Sequence, residues 1–296
     1  MVSKLFFYLI LIPVSRLPFW FLYGISDVLY LFIYKIFGYR TKVVRSNLEN
    51  AFPEKTAKER KKIEAEFYKH LCDLVVESIK ALTISQKMVK KRMADRNVEV
   101  ANRYKKENKQ MIVVCGHYGN WELLAITLGM SLSYNSIGLY TPLKDQFINK
   151  KINESRSKYG LTMVSTQDIK QIMFKLKSNL HALVFASDQS PKKSQKAYWM
   201  NFLNQETGVQ FGTEKIAKKV NAAVVFANAY KVKRGYYEVE YELICENAKD
   251  TADGFITQGH TKRLEKIIRE QPAYWLWSHK RWKHKRPADA ILNKTL

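Results

Sequence analysis

The sequence predicts an α/β fold: a mixed central sheet flanked by helices, behind an amino-terminal hydrophobic helical membrane anchor. Short apolar runs alternate with helical patterns along the middle of the chain, an aromatic-rich apolar stretch fills 5–40, and 296 residues suffice for one full core. These divide the chain into an anchor over 1–40 and a domain over 41–296, with a helical lead-in at 41–105 and an α/β core at 106–296.

In the anchor, the apolar run before Pro13 is too short to span a bilayer. The stretch 19–37 is just long enough once Asp27 and Lys35 are tolerated. Trp20, Tyr23, Tyr30 and Tyr34 suit an interface, so a monotopic or single-pass anchor is expected. A cleaved signal peptide competes, but no small-residue cleavage site is evident. The basic GYRTKVVR flank at 38–45 would also keep the following domain on the cytoplasmic side.

Thr56 and Glu59 form a capping-box signature for an amphipathic helix to about Leu82, with Ile63, Phe67, Leu71, Leu74 and Ile79 on its apolar face. A basic helical stretch at 85–96 reads as a solvated or lipid-facing surface. Apolar runs at 111–115, 136–140, 180–186 and 222–229 then alternate with helical patterns at 120–131, 145–158, 166–178 and 212–220. YYEVEYELI at 236–244 suggests a strand near an edge, and a helix over about 251–270 closes the domain.

Fifty Lys and Arg against 27 Asp and Glu leave a formal charge of +23, which attracts anionic partners: nucleic acid, anionic lipid or an acidic carrier protein. No groove-reading module accompanies the charge, so no nucleic-acid partner is expected. Cys72, Cys115 and Cys245 have neither disulfide nor zinc spacing, so no metal is expected. Cys115 ends an apolar run and reads as a small core residue rather than a nucleophile.

The chemistry concentrates in MIVVCGHYGNWELL at 111–124. A β-branched run delivers His117 to a strand end, Gly116 and Gly119 break the chain, and Asn120 caps a helix whose first turn holds Glu122. On one continuous helix, positions five apart point about 140° away from each other, so only the turn lets His117 and Glu122 meet. A carboxylate on one ring nitrogen fixes the tautomer and frees the other nitrogen to deprotonate a hydroxyl. A structural histidine, with an acid favoured by the helix dipole, is the plainer alternative. The YTP turn at 140–142 and Asp188 with Gln189 fall at other strand ends on the same rim. There they suggest polar recognition of an acceptor, although each alone could be a loop cap. In the tail, SHKRWKHKR at 278–286 sets basic residues around Trp282, a composition suited to phosphates or an anionic leaflet.

FPEKTAKERKKI, GHYGNWE, LYTPLKD with RSKYG, ASDQ and PAYWLWSHKRWKHKRP occur in that order. On these the chain resembles the late lipid A biosynthesis acyltransferases, the lauroyl and myristoyl transferases of the lysophospholipid acyltransferase superfamily, over almost its whole length. The resemblance implies a glycerol-phosphate-acyltransferase-like fold and transfer of a fatty acyl group from acyl carrier protein to a hydroxyl of a lipid A precursor, in lipopolysaccharide biosynthesis. It maps the family's histidine and acidic residue onto His117 and Glu122, with Glu122 orienting the ring. Thr141 stands where many members carry arginine, which puts the acceptor's identity in question; Lys144 is near enough to supply charge, and Arg156 matches another family arginine.

Asn120, Tyr140, Lys144, Arg156, Asp188, Gln189, Lys280 and Arg281 are therefore expected to bind substrate. Acyl carrier protein is expected as donor with no cofactor, and a lipid A precursor or related glycolipid as acceptor. Anionic inner-membrane lipids are expected around a cytoplasm-facing domain at the bacterial inner membrane. An O-acyltransferase acting on another glycolipid or aminolipid, and a non-enzymatic basic membrane-binding protein, are the other two readings.

Overall fold

The structure, a computed structural model, describes residues 2–169, 173 and 179–294. Helices α1 (Val2–Phe6) and α2 (Ile12–Arg16) are joined by a wider helical turn, Phe7–Leu11. Leu17 is extended, as the residue before a proline prefers to be, and Pro18 opens α3 (Phe19–Tyr30), which runs on through Leu31–Ile36. The helix over Phe19–Ile36 is long and apolar enough to cross a membrane, yet only 17% of it is buried. Leu22, Ser26 and Tyr34 face inward, while Trp20, Phe21, Val28, Leu31, Phe32 and Ile36 are exposed.

After α4 (Thr41–Ala51), the capping box expected at Thr56 is formed. The Thr56 hydroxyl accepts from the Glu59 amide at 3.3 Å, the Glu59 carboxylate accepts from the Thr56 amide at 2.7 Å, and α5 runs Ala57–Ala81. Its apolar face buries Ile63, Phe67 and Leu74, but Glu64, His70, Asp73 and Glu77 are buried with them. The stretch 85–96 departs from expectation. It is helical as α6 (Gln86–Arg92) and then extends as β1 (Met93–Asp95), with Val89, Arg92 and Met93 buried. Arg92 is no surface charge because its guanidinium lies 3.7 Å from the Phe19 ring centroid and 4.2 Å from that of Tyr236.

Helix α7 (Glu99–Lys106) leads into β2 (Met111–Cys115), α8 (Trp121–Ser131), β3 (Asn135–Tyr140), α9 (Gln146–Ser157), β4 (Thr162–Ser165) and β5 (His181–Ala186). The helix expected over 166–178 lies mostly outside the described residues; what is described begins as a short turn, Thr166–Asp168. A hairpin absent from the sequence reading follows, β6 (Ala197–Phe202) and β7 (Gln205–Gln210). Both residues of its loop, Leu203 and Asn204, have positive φ, so a left-handed turn forms without the usual Asn-Gly signal. Then come α10 (Gly212–Val220), β8 (Ala223–Lys233), β9 (Tyr236–Cys245), α11 (Phe255–Glu270) and β10 (Leu292–Asn293).

The main sheet has the order β1-β9-β8-β2-β5-β3-β4, parallel throughout except for the β8/β9 hairpin, and β10-β6-β7 form a small second sheet. The α/β class with a mixed, helix-flanked sheet is as expected. All five residues of β2 are buried: Ile112 and Val114 in the core on one face, Met111, Val113 and Cys115 in the core on the other. A strand covered on both faces loses its alternation and reads as a continuous apolar run.

Because both contacts of the Thr56 cap lie at the surface, Thr56→Ala should lower unfolding free energy by about 1 kcal/mol. Thermal unfolding should show a midpoint about 2–4 °C lower; an unchanged midpoint would show that the box does not hold α5.

Candidate active site

Sheet register assembles the site. Cys115 on β2 is paired in parallel with Ala186 on β5, and His117 and Asp188 each lie two residues beyond that pair. They emerge side by side at the carboxyl edge, where ligands collect in open α/β sheets. Cys115 stays in the core, its thiol pushed up to about 12 by burial and the nearby Asp188 charge, which rules it out as a ready nucleophile.

Asp188 is buried and takes three donors. The backbone N–H of His117 reaches Oδ2 at 2.9 Å, the indole N–H of Trp275 reaches the same oxygen at 2.9 Å, and Nδ1 of His117 donates to Oδ1 at 2.6 Å. Burial disfavours its charge, but the His117 imidazole and these bonds outweigh it and hold the carboxyl well below the usual range. With Nδ1 donating, Nε2 carries the lone pair and accepts from the Gln189 side-chain amide at 3.3 Å. The His117 side chain is 20% exposed, enough for a reactant to reach it. Burial also works against a charge on His117, yet Asp188, with a smaller push from Glu122, lifts it above its ordinary 6.5. Among histidines displaced from that value it alone moves upward; burial drives His260 and His279 down to about 4 and His70 well down.

The carboxylate that holds the ring is thus Asp188 and not Glu122, which corrects the expected pairing. Glu122 instead meets Arg156 of α9 through two bonds, Nε to Oε2 at 2.8 Å and Nη2 to Oε1 at 2.6 Å. The first turn of α8 aims the carboxylate across to α9, and the pair sits close enough to act on His117 with opposite signs. Asp188, expected as an acceptor contact, is spent on the imidazole.

Other expected contacts disperse. Tyr140 is half-buried at the end of β3, where its hydroxyl accepts from Asn149 at 3.5 Å, and Lys144 is exposed before α9. Lys280 is exposed and makes no contact with the imidazole among the described hydrogen bonds and ion pairs. Arg281 is a correction: it is buried and donates to the Gly208 carbonyl at 2.9 Å inside the hairpin, so it cannot meet a ligand at the surface.

Comparison with known sequences now decides the family. The family model for bacterial lipid A biosynthesis acyltransferases matches residues 3–284. The chain belongs to that family. It is 25% identical over 247 residues to the lipid A biosynthesis palmitoleoyltransferase of Escherichia coli (strain K12), covering 82% of this chain and 79% of the relative. The Shigella flexneri lipid A biosynthesis acyltransferase matches with the same identity and coverage. The Escherichia coli (strain K12) lipid A biosynthesis lauroyltransferase is 23% identical over 272 residues, covering 91% and 88% respectively.

In this acyltransferase the turn bearing His117 is fixed from two sides. Toward the carboxyl tail, the amide of Leu276 donates to the His117 carbonyl at 3.2 Å and that of Gly119 to the Tyr274 carbonyl at 3.0 Å. Toward α5, Nε2 of His70 donates to the Gly119 carbonyl at 3.1 Å, while Nδ1 of His70 accepts from Lys231 at 3.3 Å. Asn120 caps α8, its Oδ1 accepting from the Leu123 amide at 2.9 Å, and its amide nitrogen donates to buried Glu77 at 2.6 Å. Tyr23 from α3 and Tyr237 from β9 each donate to the same carboxylate at 2.9 Å. Asn120 is therefore structural in these contacts. Sequence reasoning missed Trp275, His70 and Glu77; the signal for the last two was the spacing of His70, Asp73 and Glu77 on one face of α5, a polar stripe in a buried helix.

Gly119 has φ +59, and a Cβ there would lie 2.2 Å from the Ala229 carbonyl oxygen. Gly119→Ala should lose more than about 2 kcal/mol, since left-handed backbone alone costs about 1–2 kcal/mol. Denaturant titration reads the loss; a stability equal to that of the parent would show that the turn is not held as described.

Proposed function

We propose that this acyltransferase moves a fatty acyl chain from an acyl carrier protein thioester to a hydroxyl of a lipid A precursor, as a secondary acylation step at the cytoplasmic face of the bacterial inner membrane. The observation that carries the reading is the partly exposed ring of His117, whose Nε2 is left with its lone pair because Nδ1 is committed to Asp188.

As the acceptor oxygen attacks the thioester carbonyl carbon, Nε2 removes the hydroxyl proton. The charge on the imidazolium is met by Asp188, buried beside it. When the tetrahedral intermediate collapses, the carbon–sulfur bond breaks and the imidazolium returns its proton to the leaving thiolate, so ester and thiol form with no acyl-enzyme. The thioester is already activated, and no cofactor enters the scheme. Oxyanion charge calls for fixed donors. The first-turn amides of α8 after the Asn120 cap supply some, and Arg156, with Nε and Nη2 committed to Glu122 and Nη1 unbonded among the described residues, offers another. Gln189 occupies the place on Nε2 that the acceptor hydroxyl would take.

The anchor reads as lying in one leaflet. Ser26 donates to Asp73 at 2.8 Å and Asp27 pairs with Arg234 at 2.6 Å, so the polar side of the helix is tied to the domain and its opposite, apolar face is left for lipid.

Purified protein given acyl carrier thioesters of several chain lengths and a tetra-acylated precursor should yield product one acyl chain heavier by mass spectrometry. His117→Ala should reduce the rate by about 10²- to 10⁴-fold while membrane association persists; undiminished turnover would contradict the base assignment. Because His117 must be neutral to act and its pKa is raised, the rate should fall as pH drops through a midpoint above 6.5. Asp188→Asn removes the raising charge, so that midpoint should move down while the plateau rate falls; a midpoint unmoved in a pH–rate profile would rule out Asp188 as the partner.

A further inference from the structure

Two cavities lie along one seam between the anchor-proximal chain and the carboxyl-terminal strap, and they differ in chemistry. The first, about 570 Å³, is largely apolar and is lined by Ile33, Phe37, Leu71 and Val75 together with Leu276 and His279. The second, about 410 Å³, is lined by Lys42, Ser46, Asn50, Gln205, Lys280 and Lys283. Both segments run in the same order, so residues 33–40 with 276–279 line the apolar cavity and residues 42–50 with 280–283 line the basic one. Side-chain bonds hold the seam: Arg40 donates to the Ser278 carbonyl at 3.0 Å, and Asn47 to the carbonyls of Trp277 at 2.8 Å and His279 at 3.1 Å.

Cations outnumber acids in this chain, 50 to 27, so an unpaired lysine is ordinary; what distinguishes Lys42, Lys280 and Lys283 is that they line one cavity together. Among the described residues, Lys42, Lys280 and Lys283 have no ion-pair partner. Gln205 adds a buried side-chain nitrogen with no acceptor among the described residues. Three exposed ammonium groups around one concavity set up a local positive field that a multiply charged oxyanion would meet. The strap begins at Leu276, whose amide is bonded to the His117 carbonyl, and Lys280 follows four residues later, at most about 14 Å of chain away. An apolar slot, a cationic pocket and the catalytic imidazole therefore lie within the span of one amphipathic molecule.

We propose that Lys42, Lys280 and Lys283 form a phosphate site that holds a phosphate monoester on the head group of the acceptor glycolipid, while the adjoining apolar cavity takes one of its acyl chains. The inference rests on the acyl-transfer reading and names how its acceptor is held. Lysine suits this as a point charge on a flexible stem, and Ser46 and Asn50 add neutral polar lining.

The test compares wild type with Lys280→Gln/Lys283→Gln and Lys280→Arg/Lys283→Arg, in uncharged detergent micelles, using a bis-phosphorylated precursor and its enzymatically dephosphorylated counterpart. The glutamine variant should raise KM for the phosphorylated acceptor about tenfold or more, with kcat and the KM for acyl carrier thioester unchanged. Its KM for the dephosphorylated acceptor should match that of wild type, and the arginine variant should restore the phosphorylated value. An equal rise for both acceptors would overturn the proposal, as would a rise confined to the carrier thioester, which would mark a carrier-docking surface. Competition by phosphatidylglycerol as strong as by the precursor would assign the pocket to bulk anionic lipid instead. Should wild type transfer to no acceptor, the acyl-transfer reading fails on its own; calorimetric binding of the phosphorylated precursor, weakened in the glutamine variant and restored by arginine, still decides the pocket.

Discussion

The hydrogen bond from Nδ1 of His117 to Asp188 sets both the place and the tautomer of the imidazole, and it exists because β2 and β5 pair in parallel with Cys115 beside Ala186. Two strand ends in register give two side chains in register. Asp188 also receives the backbone N–H of His117, so the carboxylate grips main chain and ring together, and the Trp275 indole fixes the carboxylate from the tail. A buried carboxylate with three donors is stable as an anion. That anion lifts the affinity of His117 for a proton, although burial alone would depress it.

A second buried carboxylate extends the dependence outward. Glu77 on α5 gathers Asn120 of the His117 turn, Tyr237 of β9 and Tyr23 of α3 around one pair of oxygens. One turn away along α5, Asp73 is shared by Ser26, Arg234 and Lys231, the last of which also donates to the histidine that holds Gly119. Buried networks of this kind specify geometry when every member is satisfied and are costly when one is removed. The apolar amino-terminal helix and the turn that bears His117 are therefore parts of one hydrogen-bonded body.

Much of this was readable from sequence because local physics determined it. The Thr56–Glu59 box, the Asn120 cap, the five-residue buried strand before His117 and the helix beyond it follow from capping and periodicity. The ring's partner was not readable. Asp188 lies 71 residues from His117, and only strand register, which no spacing rule supplies, brings them together. Glu122 was the nearest acid in sequence, but the helical turn that separates it from His117 also points it at Arg156. The basic segments misled for a related reason. Read by composition, 85–96 and 278–286 are charged surfaces, yet in the tight turns after Leu276 neighbouring residues face different ways, so Lys280 is exposed and Arg281 is buried. Arg92 likewise disappears between two aromatic rings. The β6/β7 hairpin escaped notice because Leu203 and Asn204 make its left-handed turn without glycine.

The most direct measurement is the protonation pattern of the His117 ring, read by nitrogen-15 NMR of histidine-labelled protein in detergent micelles at a pH above its midpoint. A proton on Nδ1, shifted far downfield by Asp188, and a bare Nε2 are expected. A ring protonated on Nε2, or an Nδ1 proton that does not move when Asp188 is replaced by asparagine, would contradict that assignment.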